Sequence, residues 1–147
     1  MIDEVKRRTH PALVHFPLAL YPVSLLFLAL GWVIRDPFFW AASYWAFVLG
    51  VLFTLPVALT GWWDMIRLRN AKGNKHLRLH VINGTALTVL SLVAAFILIP
   101  NPFMAQQNLL LFYTLTLALL TGLVMFQGLL GATMVYQSKI GIDGETR

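Results

Sequence analysis

Four long apolar runs, divided by three short polar breaks, fill most of the chain. They extend from Ala12 to Ile34, from Phe38 to about Trp63, from about Leu79 to Ile99 and from about Leu109 to Tyr136. A helix of about 20 apolar residues crosses the roughly 30 Å hydrocarbon core of a bilayer, so each run is long enough to span. A membrane strand would be about ten residues long and would alternate polar with apolar positions, which none of these runs does. The pattern predicts an all-α integral membrane protein, one antiparallel bundle of four transmembrane helices near 11–34, 38–65, 76–99 and 107–136. Arg35-Asp36-Pro37 forms the first break, and Gly73-Asn74 marks the loop of the second. Pro100-Asn101-Pro102 ends the third run, because proline cannot continue a helix. Lys6-Arg7-Arg8 ahead of the first run resembles the charged region of a signal peptide. The run is longer than a signal core and has no clear small-residue cleavage site, so it reads as a retained span.

Composition supports lipid as the main solvent. Of 147 residues, 59% are hydrophobic and 12% charged, against about 45–50% and about 25% in soluble domains. The mean hydropathy is +0.73. There is no cysteine, which excludes disulfides, iron–sulfur ligation, c-type haem attachment and thiolate zinc sites. The net charge of +5 has a topological reading. With four spans, both termini and the middle loop share one side, and that side holds ten of the eleven Lys and Arg residues, leaving only Arg35 opposite. The positive-inside rule then puts both termini in the cytoplasm of a prokaryotic cell, with the chain multi-pass in the cytoplasmic membrane. No basic motif interleaved with aromatics points to nucleic acid.

Titratable groups in membrane segments are costly and are candidates for function. Here they gather at one end. His10 and His15 open the first helix, Asp64 closes the second, and His76 and His80 open the third. His76 and His80 are four apart and share a helical face. His15 and His80 each lie about one turn in, on helices running the same way, so they are expected at similar depth. One turn deeper stand Ala19 and Gly84, small residues that would leave room for something flat. Small-residue stripes are also ordinary packing faces between membrane helices.

Three chemistries fit this set. Haem b needs one or two axial imidazoles, an apolar slot and basic partners for its propionates. His15 and His80 would ligate, with His10 and His76 in reserve, and Arg67, Lys75 and Arg78 would meet the propionates. A divalent metal could instead use His76 and His80 with His10, His15 or Asp64. Alternatively the histidines cap helices or sit in headgroups and bind nothing. There is no G-x-S-x-G, H-E-x-x-H or phosphate loop. Interior polar groups are expected to be too few for proton-coupled transport. The reading is an electron carrier or redox-complex subunit rather than a stand-alone enzyme, exchanging electrons with a quinone or a partner protein. The competing reading is a cofactor-free accessory subunit packed against other membrane subunits.

The segment His10-Pro11-Ala12-Leu13-Val14-His15-Phe16-Pro17-Leu18-Ala19-Leu20 resembles the opening signature of the prokaryotic membrane family known as domain of unknown function 2231. The resemblance continues through Leu59-Thr60-Gly61-Trp62-Trp63-Asp64, the histidines of the third helix, and Gly131-Ala132-Thr133-Met134-Val135-Tyr136 with Ile140-Gly141-Ile142. It covers nearly the whole chain. Ala132 stands where the family often has a second glycine, and Lys139 near a position that is often histidine. The resemblance implies four membrane helices. Some members occur joined to or beside redox proteins, which implies b-type haem electron transfer. Its signature residues here are His10, His15, Gly61, Asp64, His76, His80, Gly131 and Tyr136.

Overall fold

The protein is an all-α bundle of four membrane-spanning helices. The computed structural model describes residues 2–67, 73–100 and 107–137, with side chains over 10–66, 73–100 and 108–137. The helices are α1 (Ile2–Ile34), α2 (Pro37–Arg67), α3 (Lys75–Leu98) and α4 (Gln107–Tyr136). Each contains a stretch long and apolar enough to cross a bilayer: His10–Ile34, Pro37–Ile66, Lys75–Leu98 and Asn108–Tyr136. α1 begins well before its apolar run, so its first turns stand ahead of the span.

Local chemistry sets the helix ends. α1 stops at Arg35, whose φ of 60° is left-handed, while its N–H still donates to the Gly31 carbonyl at 3.0 Å. A non-glycine residue in this region costs roughly 1–2 kcal/mol. That conformation lets α2 start two residues later. Asp36 Oδ1 accepts from Phe38 N at 2.8 Å, and Pro37 takes the first helical position, where a missing N–H costs nothing. Asn74 caps α3 in the same way, accepting from His76 N at 2.8 Å and Leu77 N at 3.2 Å.

Each helix packs on its two neighbours in chain order, closing a ring of four, and the closest face lies between α1 and α2. Glycines set that face. A Cβ on Gly61 would lie 2.9 Å from the His10 ring, one on Gly50 2.9 Å from the Tyr21 ring, and one on Gly31 3.1 Å from the Trp40 ring. His10 and Tyr21 are eleven residues apart on α1, as are Gly50 and Gly61 on α2, so all three contacts keep one antiparallel register. Eleven residues are close to three full turns, which brings the rings back to the same face with little supercoiling. Lipid gives apolar helices no hydrophobic reason to associate, so such notches and interhelical hydrogen bonds carry the packing. α3 meets α4 by the same device: a Cβ on Gly84 would lie 2.9 Å from Gln127 Nε2.

Candidate functional site

The end of the bundle that carries both termini holds two imidazoles facing inward. His10 comes from the first turn of the α1 span and is half-buried against Gly61 of α2. Its Nδ1 lies 3.0 Å from Thr60 Oγ1. His80 comes from the second turn of α3, with its Cε1 3.7 Å from where a Gly131 Cβ on α4 would sit. The two rings are close enough for their charges to interact, as are His10 and Asp64. The bundle ring therefore converges here, with α1 and α3 supplying the imidazoles and α2 and α4 the glycines beside them.

His80 has an unusual environment. Its Nδ1 is enclosed and finds no hydrogen-bond partner among the described residues. Leaving such a group unmet costs about 1–3 kcal/mol. The backbone next to it is well tied. The His80 carbonyl accepts from Gln127 Nε2 at 3.1 Å, Gln127 Oε1 accepts from Asn83 Nδ2 at 2.6 Å, and that same nitrogen reaches the Leu123 carbonyl at 3.0 Å. The main chain of His80 is thus fixed to α4 while one ring nitrogen is left unmet.

A family profile described as "Predicted membrane protein (DUF2231)" matches residues 7–144. The chain belongs to that family. No curated protein and no solved structure shows a significant match.

In this DUF2231 chain the pairing expected between His15 and His80 is not the one formed. His15 is exposed, and its Nδ1–H donates to the Pro11 carbonyl of its own helix at 2.7 Å. His10, five residues earlier and hence rotated toward the interior, is the ring that approaches His80. His15 turns away from the bundle instead. His76 is half-buried at the mouth of α3, where its N–H is occupied by the Asn74 cap. Lys75 and Arg78 are exposed on the first turn of α3. The Arg67 side chain, Lys139 and the Ile140-Gly141-Ile142 tail lie outside the described residues. Among the described residues no three His or acidic side chains gather closely enough to hold a metal ion.

Two further expectations are corrected. Gly84 does not leave room for a flat ligand, because Gln127 fills that notch, and Ala19 faces outward. The interior is also more polar than expected: Ser24, Ser43, Thr54, Asn83, Thr88, Ser91, Thr116 and Gln127 are all buried. Tyr21 and Tyr113 are wholly enclosed as well. Asn83 and Gln127 were detectable, since an amide inside an apolar run is a polar group that needs a partner. Serines and threonines gave no such signal, because each can satisfy itself on the carbonyl four residues back. Thr54 does so on Gly50, Thr88 on Gly84 and Thr114 on Leu110, each at 2.8 Å.

Proposed function

We propose that the protein is a membrane electron carrier or redox-complex subunit that binds b-type haem between His10 and His80. The observation that carries this reading is the enclosed, unpartnered Nδ1 of His80 opposite a second interior imidazole. A buried polar atom without a partner is expensive and asks for one. Among the described residues no third His or acidic side chain joins them closely enough to complete a metal site, and two imidazoles suit an iron already held by a macrocycle. The absence of cysteine agrees with a group held by histidine alone.

In this reading His10 and His80 are the axial ligands, with the His10 ring seated against Gly61 and the His80 ring beside Gly131. Lys75 and Arg78 are basic groups at the same end, suited to propionates. Bound haem supplies one-electron redox chemistry. The chain's own part is to hold two imidazoles in an apolar setting and to keep bulk water away. The charge asymmetry supports a site near the cytoplasmic face, where electrons would pass to a quinone or a partner protein.

The visible spectrum of protein purified from haem-supplied cells tests this. A Soret band that disappears in His10→Ala and in His80→Ala, and persists in His15→Ala and His76→Ala, is the expected result. A colourless wild-type protein, or a band indifferent to both His10 and His80, overturns it.

A further inference from the structure

We infer that Thr60 is a positioning residue that fixes the tautomer of His10, keeping the ring hydrogen on Nδ1 and leaving the Nε2 lone pair open for a ligand. The purpose of this arrangement rests on the cofactor reading above; its geometry does not.

Hydrogen counting leads to it. Thr60 Oγ1 carries a single hydrogen. It lies 2.8 Å from the Pro56 carbonyl and 3.0 Å from the Val57 carbonyl, both on its own helix. Carbonyl oxygens only accept, so the hydroxyl hydrogen is committed to them. Toward His10, then, Oγ1 presents lone pairs alone. A ring nitrogen 3.0 Å from an oxygen that can only accept must bring the hydrogen itself, so Nδ1 is the donor. In the neutral ring the other nitrogen, Nε2, is then bare.

A ligand imidazole needs this state. The nitrogen that binds a metal must be unprotonated, and the opposite N–H is as a rule held by a fixed acceptor that sets tautomer and ring orientation. Thr60 is such an acceptor, carried on the helix next to α1 and one residue from Gly61. Gly61 lets the ring come close, with a Cβ there only 2.9 Å from His10 Cε1. The Thr60-Gly61 pair thus fixes both the ring's hydrogen and its approach. His15 shows the contrast: its Nδ1–H is held by Pro11 on its own helix, and the ring stays exposed.

The test uses the full chain in detergent, with ¹⁵N-labelled histidine and His10 assigned by its loss in His10→Gln. In wild-type, cofactor-free protein the expected spectrum shows a protonated Nδ1 and a bare Nε2 for His10. Thr60→Val, which keeps shape and removes the acceptor, should abolish that preference, and Thr60→Ser should retain it. Helical content and elution volume of each variant show whether it has folded. In haem titrations Thr60→Val should weaken binding by about 10-fold, with Thr60→Ser near wild type. A His10 tautomer that is Nε2-protonated in wild type, or unchanged in folded Thr60→Val, overturns the inference. A tautomer that follows Thr60 in a protein that takes up no haem overturns the cofactor reading alone.

Discussion

The two ends of the bundle treat buried polar groups in opposite ways. Toward the end with the α1–α2 turn, Ser24, Ser43 and Tyr113 meet at the centre with every side-chain hydrogen accounted for. Ser24 Oγ donates to the Ser43 carbonyl at 2.7 Å, and Ser43 Oγ donates to the Ser24 carbonyl at 2.8 Å. Both serine hydrogens are thereby used, so the Tyr113 hydroxyl donates to their oxygens, 2.8 Å from Ser43 and 3.1 Å from Ser24. This is a closed pin joining α1, α2 and α4. At the opposite end His80 Nδ1 has no partner among the described residues. The serine–tyrosine cluster is fully buried and saturated, whereas His80 is half-buried with one enclosed nitrogen unmet among the described residues. A saturated cluster explains itself as packing, whereas an unmet group is a standing cost that function can account for. Between the two ends, Tyr21 OH is 2.8 Å from Thr54 Oγ1 and follows the saturated pattern, while Thr121 Oγ1 on α4 has no partner among the described residues.

This contrast can be broken experimentally. The largest effect should come from His80→Leu. It removes the cofactor band entirely, yet cofactor-free protein should melt at the wild-type temperature or above, because an unmet buried group has been replaced by an apolar one. A marked drop in melting temperature would show that His80 is structural. Next come two matched glycine substitutions. Gly50→Ala drives a methyl into the fully enclosed Tyr21 ring and should cost about 1–3 kcal/mol in thermal or denaturant unfolding. Gly61→Ala presses on the half-buried His10 ring near the start of its span. It should leave stability nearly unchanged while abolishing the band. Equal stability losses for the two would erase the distinction between the ends.

Smaller effects test the pin. Ser43→Ala should destabilise by about 0.6–1.7 kcal/mol, the range for interhelical hydrogen bonds in membranes, with no spectral change. A spectral shift there would mean that the ends communicate. The smallest effect is expected from Arg35→Gly. Relief of the left-handed backbone at φ 60° is partly offset by glycine's greater freedom when unfolded, leaving a gain of roughly 0.5 kcal/mol in a melting experiment.

The sequence displays these features unequally. The fold was legible because four apolar runs with Pro, Gly, Asn and Asp at their ends leave little choice of element or order. That chemistry-bearing residues crowd one end was legible too, since His10 and His15 follow the N-terminal polar segment while Asp64, His76 and His80 flank the second break, and antiparallel connectivity brings these to one end. Which ring points inward was not legible. His10 and His15 are five residues apart, well over a full turn, and nothing along the chain says which side of α1 meets α2. The notch at Gly61 decides it, and that notch exists only once the helices are in register. The serine–tyrosine pin was hidden for a related reason. Ser24 and Ser43 are unremarkable within their own runs and acquire meaning only opposite each other.

One feature of the ring of helices reaches further. His10 belongs to the α1–α2 pair and His80 to the α3–α4 pair, so each half of the protein owns one of the two inward-facing imidazoles. Expressed as separate pieces cut within 68–72, neither half would hold a two-histidine ligand. If the proposed cofactor binds, colour returning when the pieces are mixed in a bilayer would report that the halves had found each other, and the pigment would then gauge assembly.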